Sequence, residues 1–124
     1  MVQKFLRCNT CGNMVAMVTD SGVDIICCGK PMEVIEANTT DGSAEKHVPV
    51  YAIENNKVHV RVGSADHPMT EEHYIQWISI QTDKGNQRKE LKYTDKPAAC
   101  FAICDGENIE AVYAYCNIHG LWKA

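Results

Sequence analysis

No run of apolar residues in this 124-residue chain approaches the ~20 needed to cross a bilayer. Residues 1–7 are too few and too polar for a secretory signal, which makes the cytoplasm the expected compartment. Positive charge is not in excess either: 12 Lys and Arg against 16 Asp and Glu give a formal charge of −4. General attraction to nucleic acid or to anionic membranes is thereby excluded, so an anionic substrate has to be drawn by a local field. The chain has no internal repeat, no low-complexity tract and no convincing helical period beyond a possible turn near 70–73. What these absences leave is a globular composition, 45% apolar and 23% charged, sized for one ordinary domain or two small ones.

Cysteine is what the chain has in plenty. Seven is a high and odd count, and in a reducing compartment it favours metal ligation over a disulfide framework. Four of the seven fall within residues 1–36, a segment with little else to build a core and hence in need of a metal staple. Short β-like pieces at 14–19 and 23–26 flank the turn signal Asp20-Ser21-Gly22. Residues 37–44, small and polar, read as a linker. Beyond His47 the apolar pattern has period two. Val58, Val60 and Val62 alternate with Lys57, His59 and Arg61, and further strand candidates lie at 74–82, 87–93, 99–104 and 109–115. Their connections carry turn chemistry at Asn55-Asn56, at 83–86 and at Asp105-Gly106, which argues for an antiparallel sandwich or barrel.

Cys8-x2-Cys11-Gly12 is a knuckle that brings two thiolates together, and Cys27-Cys28-Gly29 supplies a second pair. Four thiolates suit a tetrahedral metal. Zinc ribbons usually carry two Cys-x2-Cys knuckles, whereas adjacent cysteines cannot make that turn and should strain the tetrahedron open. Structural zinc and redox iron both stay open on this segment alone.

A second set of candidates is His47, His67, His73, Cys116 and His119. Cys116-x2-His119 puts two donors within one turn, and His67 and His73 bracket a short loop. Each piece alone is weak, because a lone histidine is more often a satisfied surface or core residue. His59 illustrates this, sitting on the polar face of a β pattern, and is excluded. A blue-copper site needs a weak axial Met, and none follows His119. Catalytic zinc normally takes three protein ligands, fewer than the five present. Four imidazoles and a thiolate suit iron with one position open.

These residues closely resemble the desulfoferrodoxins, the two-centre superoxide reductases. The likeness spans nearly the whole chain. It rests on Cys8-x2-Cys11 with Cys27-Cys28, on residues 45–50 (Glu-Lys-His-Val-Pro-Val), on His67-Pro68-Met69 with His73-Tyr74-Ile75, and on 116–124, Cys-Asn-x-His-Gly-Leu-Trp-Lys-Ala. The resemblance implies a mainly β protein with a desulforedoxin-like Fe(Cys)4 domain at 1–36 and an immunoglobulin-like sandwich at 37–124. It also implies two irons per chain. Cys8, Cys11, Cys27 and Cys28 would bind the first. His47, His67, His73 and His119 would bind the second in a plane, with Cys116 axial. Superoxide as substrate, hydrogen peroxide as product, a rubredoxin-like electron donor and a homodimer follow from the same likeness. Glu45 resembles the carboxylate that caps the oxidised iron, and Lys46 a source of positive field and protons; without the likeness they would be an ordinary solvated charge pair. The competing function is a non-enzymatic rubredoxin-like electron carrier whose second metal is structural. Cys100 and Cys104 fall outside the pattern. On one strand they would lie roughly 13 Å apart at ~3.3 Å per residue, too far for a disulfide, and they read as small buried hydrophobes. Trp77 and Trp122 read as core or interface residues.

Overall fold

The structure, a computed structural model, describes residues 2–124. It falls into two compact units, Met1–Glu36 and Ala37–Ala124.

The first unit is built from fragments: β1 (Phe5–Arg7), β2 (Met14–Ala16), β3 (Ile26–Cys27), β4 (Lys30–Pro31) and β5 (Glu33–Val34). A small antiparallel sheet runs β2-β1-β5, and β3 and β4 form a hairpin. Among its described apolar residues only Phe5, Leu6 and Cys8 are buried, too little to stabilise an independent fold. The β-like piece at 23–26 contributes only its last residue to a strand. Val18 and Val23 stand exposed outside any strand.

The second unit opens on a single helical turn, α1 (Ala44–His47). Seven strands follow: β6 (Pro49–Glu54), β7 (Lys57–Val62), β8 (Ile75–Thr82), β9 (Gly85–Glu90), β10 (Ala98–Ala102), β11 (Ile109–Cys116) and β12 (Gly120–Lys123). They make two antiparallel sheets, β10-β7-β6 and β12-β11-β8-β9. Val58, Val60, Val62 and Phe101 from one sheet pack against Ile75, Ile78, Ile80, Val112 and Ala114 from the other, forming a sandwich core. The strict alternation of β7 follows from its position, with one face on that core and one in solvent. Asn55 and Asn56, both left-handed (φ 51° and 60°), close the β6–β7 hairpin.

Two expectations need correction. The turn near 70–73 is not helical: Thr70 and His73 exchange backbone hydrogen bonds (2.9 and 3.2 Å) in a tight loop. The helical turn lies at α1 instead. Residues 37–44 are not a free linker. The Asn38 N–H donates to the Leu121 carbonyl (2.9 Å), its Oδ1 accepts from the Lys123 N–H (2.9 Å), and its Nδ2 donates to the Lys123 carbonyl (3.2 Å), tying the segment along β12.

One end of the sandwich collects the chain ends that matter later: the start of β6, the end of β7, the start of β8 and the end of β11. Pro49 pairs with Val62, and Ile75 with Cys116. Gly63, just past β7, lies so close beneath α1 that a Cβ there would stand 2.6 Å from the Glu45 carbonyl oxygen and 2.9 Å from that of Val48. Ala65 N–H (2.9 Å) and Ser64 Oγ (3.2 Å) donate to the same Glu45 oxygen, lacing the β7–β8 loop to the helical turn.

Candidate metal centres

In the first unit the side chains of Cys8, Cys11, Cys27 and Cys28 converge, with donor atoms within 4.8 Å of one another. The knuckle closes through Gly12 N–H to Cys8 O (2.9 Å), with Gly12 left-handed at φ 82°. The vicinal pair reaches the same point because Cys28 itself is left-handed (φ 53°), followed by left-handed Gly29. That twist is how adjacent cysteines aim inward without a knuckle. The Cys11 N–H points at Cys8 Sγ (3.5 Å) and the Asn13 N–H at Cys11 Sγ (3.4 Å), while Asn13 Nδ2 points at Cys27 Sγ (3.8 Å). The backbone N–H groups of Cys11 and Thr10 hold Cys8 down at about 6. Hydrogen bonding with Cys11 and Cys8 pushes Cys28 up to about 12. The four sulfurs therefore do not share a charged state by themselves; a bound cation is what lets four thiolates coexist.

At the end of the second unit five side chains meet: His47 from α1, His67 and His73 from the β7–β8 loop, Cys116 from the end of β11 and His119 from the β11–β12 turn. Their donor atoms also lie within 4.8 Å of one another. His47 Nδ1 faces the Ser43 carbonyl (2.6 Å) and His67 Nδ1 the Pro68 carbonyl (2.7 Å), so each ring carries its proton on Nδ1. Their Nε2 atoms then face each other at 3.1 Å as bare lone pairs. His119 Nδ1 is 3.0 Å from His47 Nε2, and His73 Nε2 is buried with no hydrogen-bond partner. Lone pairs crowded together and a buried nitrogen left unpaired are costly in an apolar setting, and a cation at their centre resolves both. Burial, followed by repulsion from neighbouring rings, lowers the pKa of His47 and His73, and brings that of His67 to about 4; neutral imidazole is the ligating form. Burial raises Cys116, opposed by the His119 and Ile118 backbone N–H groups, the former 3.4 Å from Sγ.

Comparison with known proteins agrees with this pairing of sites. Residues 2–35 match the family model "Desulfoferrodoxin, N-terminal domain", and residues 39–124 match "Desulfoferrodoxin". The chain belongs to the desulfoferrodoxin family. A desulfoferrodoxin homolog of Archaeoglobus fulgidus is 47% identical over 99% of this chain and 97% of its own. The superoxide reductase of Treponema pallidum has a solved structure that superposes with a TM-score of 0.84 at 33% identity, covering 100% of this chain and 99% of that one. A superoxide reductase (1Fe-SOR) of Giardia intestinalis aligns with 64% of this chain and 95% of its own length, at 36% identity and a TM-score of 0.55.

Desulfoferrodoxin domains bind two irons, and both donor groups fit that metal. A tetrathiolate suits tetrahedral iron as it suits zinc, and a nitrogen-rich set with one thiolate suits iron with room for a further ligand. Glu45 and Lys46 both lie in α1 and both are exposed. Ser43 Oγ donates to Glu45 Oε1 (3.2 Å), and Lys46 is near enough for its charge to contribute to the lowered pKa of His47. His59 lies on the outer face of its sheet opposite Cys100, outside both donor groups. The reading of Cys100 and Cys104 as buried hydrophobes fails for Cys104, which is exposed just past the end of β10, while Cys100 is half-buried. Trp77 and Trp122 are core residues, Trp77 stacking on Tyr115. Sequence reasoning missed Asn13, whose amide meets Cys27, and Thr40 and Gly42, which pack on His119 and His47. The placement of Asn13 next to the knuckle was a usable signal; Thr40 and Gly42 gave none, since they look like linker.

Proposed function

We propose that this chain is a superoxide reductase, with Met1–Glu36 as its desulforedoxin-like Fe(Cys)4 domain and Ala37–Ala124 as its catalytic β-sandwich. The reaction takes one superoxide, one electron and two protons to one hydrogen peroxide. The observation that carries this reading is the convergence of His47, His67, His73, Cys116 and His119, two of whose rings turn their protons outward to backbone carbonyls. The metal held there supplies the electron and a Lewis-acidic seat for the anion.

The chain's residues do the rest. Burial keeps His47, His67 and His73 in the neutral form, so a divalent metal with one thiolate would keep net positive charge and draw the anion into a protein of net charge −4. Cys116 lends electron density, moderated by the backbone N–H of His119. Lys46, exposed on the turn that carries His47, adds to the attracting field and supplies a proton. Glu45, one residue earlier, is the carboxylate available to the oxidised site. Ser43, Pro68 and their carbonyls fix the tautomers of His47 and His67.

The electron donor in this reading is a rubredoxin-like protein and the working form a homodimer in the cytoplasm. One feature supports the homodimer. Tyr51 and Ile53, paired with core-facing Val60 and Val58, leave apolar surface open at the β6 edge, where a second copy can cover it. Among the described residues no helix is long and apolar enough to cross a membrane. The deciding experiment mixes the reduced, iron-loaded protein with superoxide. Peroxide without dioxygen is the expected result. Release of dioxygen would mean dismutation, and no reaction at all would leave an electron carrier.

A further inference from the structure

His47 and His119 come from opposite ends of the second unit's chain, yet their ligating nitrogens stand 3.0 Å apart. Something has to hold both rings at that separation. Trp122, on β12 and 4% exposed, touches both ligand-bearing segments. Its indole lies over the His47 imidazole with centroids 4.9 Å apart and planes 28° from parallel. Its Nε1–H donates to the His119 backbone carbonyl at 3.1 Å. The same carbonyl accepts a second hydrogen bond from Thr40 Oγ1. Gly42 closes the group: a Cβ there would stand 3.1 Å from Trp122 Cζ2, 3.3 Å from His47 Cε1 and 3.4 Å from His119 Cβ. Gly120, left-handed at φ 81°, lets the chain turn at His119 with Thr40 close by. Asn38 anchors the start of this strap to Leu121 and Lys123.

We propose that Trp122, clamped beneath the strap of residues 38–43, is a positioning residue that sets the His47 and His119 rings relative to each other, with Thr40 as the second donor to the shared His119 carbonyl. The inference rests on the metal-binding reading of those histidines. One side chain restrains one ring through its face and the other through the backbone of the residue that bears it. Partners that orient ligands in this way typically change metal affinity or activity by about 10–100-fold when removed. Two donors on one carbonyl also predict a specific pattern. Either can be lost while the other still satisfies the oxygen, but losing both leaves a part-buried acceptor without a protein partner.

The test uses the full-length, iron-loaded protein with Trp122→Phe, which keeps a ring and deletes the N–H, Thr40→Val, which deletes the hydroxyl at similar volume, the double variant, and Thr40→Ser, which restores a donor. The readouts are the visible and electron paramagnetic resonance spectra of the oxidised second site and the rate at which a chelator strips its iron. The expected result is a shifted second-site spectrum in each donor-deleting variant with the first-site spectrum unchanged. Iron loss should be no more than about two-fold faster in each single variant, about four-fold in the double if the effects simply added, but about 10–100-fold faster in the double as measured, and near wild type in Thr40→Ser. Wild-type spectra and iron loss in the double variant would overturn the proposal and leave Trp122 as core packing. So would simple addition of the two single effects. If Trp122→Phe does not fold, the Thr40 pair decides: an altered spectrum in the valine form, rescued by serine, supports the clamp, and an unaltered one overturns it. A wild-type protein that takes no metal at these histidines would instead overturn the functional reading beneath.

Discussion

The two donor groups solve the same problem in opposite ways. In the first unit the ligands are the core: strands of two or three residues surround four cysteines, of which Cys11 and Cys28 are exposed. In the second, a seven-strand sandwich with its own apolar core exists before any ligand is counted, and five donors gather at one end, from α1, the end of β11 and two connections, with His47, His67 and Cys116 buried. The contrast separates a fold made by its metal from a fold that makes a metal site.

Metal removal gives the largest separation. A strong chelator should unfold the first unit, since structural metal contributes on the order of 10 kcal/mol to domains of this kind. The sandwich should persist, and amide exchange should show β7, β8 and β11 still protected. Loss of protection in both units together would collapse the distinction.

Single cysteine replacements sharpen it. Cys28→Ser should destroy the first centre, yet the chemically reduced protein should still consume superoxide. Cys116→Ser should leave the first centre's spectrum intact and remove the sulfur-to-iron charge-transfer band of the second, along with most turnover. An unchanged second-site band would mean that Cys116 is not its sulfur ligand.

The sandwich was legible in the sequence where one face of a strand is buried and the other is not. β7 shows its alternation plainly, whereas β6 escaped notice because Tyr51 and Ile53 sit at an open edge and Pro49 and Val50 blur the period. The five donors could be named from residue type and spacing, but not the proton positions on His47 and His67, which depend on carbonyls supplied by the folded backbone. Nor could the role of residues 38–43, since small polar residues look alike whether they dangle as a linker or lie strapped across a site.

The second site also depends on packing that the first lacks. Gly63→Ala would drive a Cβ to 2.6 Å from the Glu45 carbonyl, a backbone atom that cannot swing aside. The expected cost is about 1–3 kcal/mol in the sandwich's denaturant unfolding, with looser coupling of α1 to the loop carrying His67. The first centre should be untouched. A wild-type unfolding midpoint would mean that the loop shifts freely.

Acid should act on the metal-free sandwich through the same burial. The folded chain holds His67 near 4 against an ordinary 6.5, so the unfolded chain binds the proton first. Its contribution to stability is therefore full above pH ~6.5 and is lost as pH falls towards ~4. His47 and His73 act in the same direction. Urea unfolding of the metal-free protein across this range should show a falling midpoint, and a flat profile would mean that the rings are hydrated rather than buried.

The smallest expected effect concerns Lys46, because it is exposed and lies beside the donor group, not in it. No anion has to reach the first centre in the proposed scheme, but the second must collect one against the protein's overall negative charge. Lys46→Ala should therefore slow the second-order reaction with superoxide, by about 10-fold at low salt, and leave the first centre's spectrum and potential unchanged. Such steering is screened over a Debye length of about 8 Å at physiological ionic strength, so the wild-type rate should fall as salt rises and the variant's should fall less steeply. Some slope should survive in the variant, since the metal's own charge remains. Pulse-radiolysis rates at several ionic strengths distinguish the possibilities. Equal rates and equal slopes would make Lys46 an ordinary solvated charge. A slower reaction with the wild-type slope would assign it to proton delivery alone, leaving the net charge of the metal and its single thiolate to attract superoxide.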